Sequence, residues 1–274
     1  MRVLVVGASG FLGTELVRRA SAAGWATSAT YCSARPDTVP PGVSWHRLDL
    51  RAPDQLDGLL AELTPDAIIN ATSGLSDWAV TADGSFRVAM AAARHGRRLV
   101  HVSSDAVFSG SRISYDESCP PDPVTPYGAA KAAAETAVRL LTPAAAVART
   151  SLIVGYGGSA HERMVHELAA GVREGVLFTD VVRCPVHVSD LAAALLELAQ
   201  SDESGMFHLA GPDALSRHEL GVLIARRDGL DASRLPAGCG AGTSMALDVR
   251  LDGRATQERL DTRLRGAREF LQLR

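Results

Sequence analysis

Apolar and polar positions along the chain switch between two periods from the first residues onward. RVLVV (2–6) is a short β-branched run that predicts a buried strand, and GTELVRRASAAG after it carries the spacing of a helix. WATSATY (25–31) and VSWHRLDL (43–50) predict the next two strands. DQLDGLLAEL (54–63) has apolar positions near a 3.6-residue period and predicts a helix. DAIINAT (66–72) and RLVHVSS (98–104) predict buried strands, with the Ala-rich helix SFRVAMAAARHG between them, and VARTSLIVG (147–155) predicts a sixth. This β–α alternation specifies an α/β fold, a doubly wound parallel sheet with right-handed crossovers, over residues 1–155. Beyond residue 156 the pattern loosens. HERMVHELAAGVREG and LSRHELGVLIARR predict helices, and VHVSDLAAALLELAQ predicts a strand end running into a helix capped by Ser189 or Asp190. GMFHLAG predicts a strand, LPAGCGAGTS (235–244) a Gly-rich loop, and the Arg-rich tail after Leu251 a further helix. Residues 156–274 are expected to form a smaller C-terminal α/β lobe that binds substrate, with strands near 183–210 returning to the first domain.

Composition narrows the function classes. The chain is 46% hydrophobic and 22% charged with a net charge of −3, which is ordinary for a globular protein and leaves no basic patch for nucleic acid or an anionic membrane. The opening apolar run is too short for a signal peptide. No apolar run reaches the roughly 20 residues that span a bilayer. Cys32, Cys119, Cys184 and Cys239 lie far apart with no CxxC pair, so reduced thiols and a cytoplasmic location are expected.

Gly7, Gly10 and Gly13 in VVGASGFLGTEL form a G-x-x-G-x-x-G turn between the first strand and the first helix. Glycine there permits a tight turn and a close approach of backbone to a pyrophosphate at a helix N-terminus, where N–H groups and the helix dipole favour anions. In this context the pattern predicts a Rossmann-type dinucleotide site. The second strand ends TYCSARP, with Ser33 and Arg35 and no carboxylate for a ribose hydroxyl. That favours NADPH over NADH through a 2′-phosphate contact, the other reading of Arg35 being a solvated loop arginine. Asp49, in RLDL, is read either as an adenine contact or as a cap.

Lys131 is the only lysine in a chain with 28 Lys and Arg residues, and it follows Tyr127 by four positions in PYGAAKAAAE. A helix stacks such a pair on one face; Thr125 suits its cap and Pro126 its first position. A phenol titrating near 10 is a poor acid at neutral pH unless a neighbouring ammonium favours its phenolate. A compact ammonium also holds ribose hydroxyls, and arginine's planar fork serves neither task well. Ser104 ends the fifth strand, on the side where open α/β sheets bind ligands, and can hydrogen-bond a substrate carbonyl.

GASGFLG, LDL, NAT, SSDAVFSG, YGAAK and ARTSLIVG in series resemble the extended short-chain dehydrogenase/reductases. Among these the chain is most similar to the dTDP-4-dehydrorhamnose reductase (RmlD-like) family. The resemblance implies that Gly7, Ser9, Gly10, Phe11 and Leu12 hold the cofactor pyrophosphate, that Asp49 and Leu50 line the adenine, and that Ala71, Thr72 and Ser73 follow the cofactor past the fourth strand. It implies Ser104, Tyr127 and Lys131 as the catalytic set, with Tyr127 and Lys131 also touching the cofactor and Asp105 near the sugar. Departures from the family pattern are Ala106 in place of a tyrosine, Leu152 in place of a tryptophan and Gly84 in place of an asparagine.

The function expected from all this is NADPH-dependent reduction of a keto group on a nucleotide-activated deoxysugar, with NADH the second choice of coenzyme. The alternatives are a nucleotide-sugar epimerase or dehydratase, and a non-catalytic NADP-binding regulatory subunit. The partners expected are a nucleotide sugar and a second copy of the chain. Trp78 is read as either a pocket-rim or a packing residue, and Arg183 as either a substrate-phosphate ligand or a surface arginine. HERMVH (161–166) places its histidines five apart, which misses the shared face of a zinc helix, so no metal site is expected.

Overall fold

The computed structural model describes residues 1–52, 55–75 and 77–272. Asp54, which opens the expected helix 54–63, and the last two residues of the tail lie outside them. Along the chain run β1 (Arg2–Val6), α1 (Phe11–Ala22), β2 (Ala26–Tyr31), β3 (Ser44–Arg47), α2 (Gln55–Leu63), β4 (Ala67–Asn70), α3 (Gly84–Arg94) and β5 (Arg98–Ser104). They are followed by β6 (Ser114–Tyr115), α4 (Pro126–Leu141), β7 (Ala146–Thr150), β8 (Ile153–Val154), α5 (Ala160–Ala170), β9 (Leu177–Phe178), β10 (Val182–Arg183) and β11 (Val186–His187). The last elements are α6 (Val188–Gln200), β12 (Gly205–Leu209), β13 (Leu215–Ser216), α7 (Arg217–Arg227), β14 (Ala237–Gly238), β15 (Arg250–Leu251), α8 (Arg254–Glu258) and α9 (Ala267–Phe270).

Seven strands form the main sheet in the order β12–β7–β5–β4–β1–β2–β3. The pairings from β3 through to β5 are parallel, with Val3 opposite both Thr27 and Ala67. The chain builds outward from β1 to β3 on one side and from β4 to β5 on the other. The reversal sets a switch point at the C-terminal ends of β1 and β4, the place where an open α/β sheet binds its ligand. Buried on both faces, β1 and β4 read as apolar runs without alternation; Leu4, Val5, Ile68 and Ile69 have no exposed surface. Leu48, Leu50, Leu56, Leu60, Val88, Val138 and Val147 complete the core around Leu4 and Ile68.

Two compact units divide the chain. The first comprises Met1–Ser104, Pro126–Arg149 and Ala192–Phe207; the second comprises Asp105–Thr125, Thr150–Leu191 and His208–Arg274. The second unit has its own core, in which Leu152, Val154, Val165, Leu168, Leu177, Leu220 and Ile224 pack together.

Several elements differ from expectation for local reasons. The run 147–155 splits into β7 and β8, because Ser151 Oγ between them donates to Asp105 Oδ2 at 2.6 Å and accepts from Cys184 N at 3.2 Å. β8 then pairs with β11. Helix α6 begins before Ser189 and Asp190, so neither is its cap; the His187 ring accepts from Ser189 N at 3.2 Å instead. Helix α5 carries a Ser159–Glu162 capping box and stops at Gly171, whose φ of 71° ends it ahead of VREG. A π-helical turn, Ala79–Asp83, runs into α3, so that helix starts earlier than its Ala-rich pattern. The tail is two short helices, α8 and α9.

Candidate active site

The turn after β1 is built for backbone contact. Gly7 has a φ of +83°, and a Cβ there would lie 2.9 Å from Thr72 Cγ2. Its N–H is held by Thr30 Oγ1 at 3.1 Å and that of Ala8 by Thr30 O at 3.0 Å, which ties the turn to β2. A Cβ on Gly13 would lie 2.3 Å from Gly7 O and 2.6 Å from Ala8 Cα, so only glycine lets α1 approach β1 this closely. Gly10 caps α1 without a side-chain hydrogen bond. The first turn of a twelve-residue helix thus presents its N–H groups beside the exposed Ser9, with Phe11 half-buried and Leu12 buried. A dinucleotide's pyrophosphate fits this cradle.

Helix α4 begins at Pro126, which puts half-buried Tyr127 in its first turn and Lys131 one turn deeper. Lys131 is 2% exposed. Its Nζ donates to Thr72 O at 3.1 Å, beyond β4, and to Val102 O at 3.0 Å, on β5. An ammonium has three N–H groups, so these two bonds leave one for a further oxygen. Burial pushes the Lys131 pKa down to about 8, with the Glu135 carboxylate pulling it the other way. Half-buried Ser104 closes β5 two residues after Val102. Ser104, Tyr127 and Lys131 all belong to the first unit.

The other expected residues fall as follows. Ser33 and Arg35 are exposed just past β2. Asp49 Oδ1 accepts from Arg51 N at 3.0 Å, and Arg51 Nη2 reaches on to Asp77 Oδ2 at 2.6 Å. Leu50 is buried, and a Cβ on Gly84 would meet its Cβ at 3.0 Å, so the glycine at that departure gives α3 room. Ala71 and Thr72 are half-buried and Ser73 exposed at the switch point. Trp78 is half exposed, and its Nε1 donates to Asp83 Oδ1 at 3.1 Å. In the second unit Asp105 and Arg183 are buried and face each other at 3.5 Å. Arg183 further donates to the carbonyls of Val182, Leu247 and Ala246 at 2.7–3.0 Å. Leu152 is a core residue there. His161 and His166 have separate partners, Arg217 and Asp228, and among the described residues no group could hold a metal ion.

Sequence reasoning missed the polar layer beneath Lys131. Glu135 and Arg149 are an ion pair at 2.8 Å with side chains 3% and 1% exposed, and Ser103 Oγ donates to Glu135 Oε1 at 2.6 Å. Thr72 N and Oγ1 both donate to Asn70 Oδ1, and Asn70 Nδ2 is within 3.2 Å of His101 Nδ1. The readable signal was Glu135 itself, four residues after Lys131 on the same helix face.

The doubly wound sheet, the glycine turn ahead of α1 and the Tyr-x-x-x-Lys face of α4 define an oxidoreductase of the short-chain dehydrogenase/reductase type. Residues 1–246 match the family model described as RmlD substrate binding domain, and the chain belongs to that family. It is 31% identical over 241 residues to dTDP-4-dehydrorhamnose reductase of Mycobacterium tuberculosis (strain CDC 1551 / Oshkosh), covering 85% of this chain and 78% of that one. It is 30% identical over 249 residues to methionine adenosyltransferase 2 subunit beta of Pongo abelii, covering 85% and 74%. The fold matches that of dTDP-4-dehydrorhamnose reductase from Bacillus anthracis str. Ames in complex with NADP, with a TM-score of 0.83 and 22% identity over 98% of this chain and 96% of that one. Among the described residues no helix is long and apolar enough to cross a membrane.

Proposed function

We propose that the chain uses NADPH to reduce a keto group on a nucleotide-activated deoxysugar, in the manner of a dTDP-4-dehydrorhamnose reductase. The observation that carries this reading is Lys131, the single lysine, buried at the switch point with two N–H groups on the Thr72 and Val102 carbonyls. A bound nicotinamide supplies the hydride. Tyr127 gives its phenolic proton to the oxygen of the reduced carbonyl. The Lys131 charge favours the phenolate left behind, and its third N–H holds a ribose hydroxyl. Ser104 donates to the carbonyl oxygen and orients it. Arg35, exposed beyond β2, binds the 2′-phosphate that separates NADPH from NADH. Asp105 and Arg183 spend most of their polar atoms on each other and on their own unit, so they shape the second unit more than they contact substrate. The free thiols of all four cysteines suit a cytoplasmic enzyme.

The test is a panel of nucleotide keto-sugars, dTDP-4-dehydrorhamnose first, with loss of NADPH absorbance as the readout. Net NADPH consumption is expected with at least one 4-keto sugar. Turnover of a sugar with no net consumption would instead identify an epimerase or dehydratase. The 30% identity to a methionine adenosyltransferase subunit favours one other reading, a cofactor-binding regulatory subunit. No oxidation across the panel, together with a stoichiometric co-purifying partner, would establish that in place of the reductase.

A further inference from the structure

Helix α4 carries Tyr127, Lys131 and Glu135 at steps of four, so three functional groups stack along one face. The lowest is bound most tightly. Arg149 of β7 meets Glu135 through two bonds, Nε to Oε1 at 3.0 Å and Nη2 to Oε2 at 2.8 Å. Ser103 adds a bond to Oε1, and Ser103 lies between Val102, whose carbonyl holds Lys131, and Ser104. Two successive residues of β5 are therefore tied to two successive turns of α4.

We propose that Glu135 is a positioning residue of the reductase site: clamped by Arg149 and Ser103, it fixes α4 against the end of β5 and supplies the negative charge that keeps Lys131 an ammonium. This deepens the proposed function and rests on it for its catalytic meaning, but its physical content concerns Lys131 alone. A buried amine with no carboxylate near it gives up its proton. Among the described residues, the charged and titratable groups placed near Lys131 are Tyr127 and Glu135 on its own helix, His101 on β5 and, behind Glu135, Arg149 on β7. Burial and the Lys131 charge hold His101 neutral near pH 7, its pKa lowered to about 3, so it contributes no compensating charge. Glu135 is the carboxylate that opposes the cost of burying Lys131, with the Arg149 guanidinium behind it offsetting part of its charge, and the pKa of about 8 reflects that balance.

The single lysine makes this measurable without any substrate. In protein labelled with ¹³C-lysine, one side-chain resonance reports Lys131, and its pH titration gives the ammonium's midpoint. In the parent chain a midpoint near 8 is expected. In Glu135→Gln it should fall by about one pH unit or more. Because that change leaves Arg149 buried without its carboxylate, the double variant Glu135→Gln/Arg149→Met is measured beside it, with the same direction of shift expected. Glu135→Asp should restore most of the parent midpoint. A midpoint unmoved in either folded variant overturns the proposal, since a purely structural Glu135 would alter stability and leave the titration alone. A parent midpoint at ~5–6, the value of a buried lysine without support, overturns it with no variant at all. If the titration behaves as expected and no keto-sugar is reduced, the placement of Glu135 stands and only the proposed function fails.

Discussion

His101 shows what single residues in this fold give up to their surroundings. Its imidazole has no exposed surface, and burial first, then the Lys131 charge, lowers its pKa from 6.5 to about 3. The unfolded chain takes up a proton as the pH falls through 6.5, and the folded chain does not until about 3. The stability from keeping His101 neutral is therefore complete above 6.5 and is lost progressively below it. His161, lowered to about 4 mainly by burial, acts in the same sense. Urea midpoints should fall between pH ~7 and ~5, before most carboxylates titrate, and His101→Gln should flatten that fall. An equally steep fall in the variant would contradict the assignment. The chain announces Lys131, because one lysine in an arginine-rich sequence stands out. It does not announce His101, since strand periodicity says that a position is buried and not which polar group sits beside it.

At the scale of elements, the β1–α1 turn was the most legible part of the chain. Three glycines at fixed spacing after a β-branched run allow few geometries, and Gly7 and Gly13 have separate reasons, a positive φ and a close approach of α1 to β1. Gly13→Ala would press a methyl onto Gly7 O and Ala8 Cα, so it should lower the melting temperature and weaken NADPH binding in a fluorescence titration. At Gly10 the nearest atom to an added Cβ is Gly7 O at 3.5 Å, an ordinary contact, so Gly10→Ala should be clearly milder on both measures. Equal effects would mean that close packing of α1 on β1 is not what the third glycine serves. Elements of the second unit were less legible. The strand at 147–155 breaks because Ser151 binds Asp105, a contact 46 residues away that no window of local periodicity contains. The start of α6 is set by a histidine ring in place of the serine or aspartate that usually caps a helix.

For the molecule as a whole, the alternation of strands and helices specified the parallel sheet, because its central strands had to be apolar on both faces. The division into units was harder to read. Asp105–Thr125 packs with the second unit and Ala192–Phe207 with the first, and such exchanges depend on long-range contacts. At the candidate site, Ser104, Tyr127 and Lys131, the residues proposed to act on the substrate, stood out by type and spacing. The buried pair beneath them, Glu135 and Arg149, emerged only once α4 and β7 were packed together. In the proposed reaction Tyr127 delivers a proton with Lys131 holding its charge. The most direct measurement compares Tyr127→Phe with the parent chain for turnover of the best keto-sugar and for NADPH affinity. Turnover should drop by about 10²–10⁴ while NADPH still binds. Turnover equal to the parent's would mean that the phenol takes no part in the reaction.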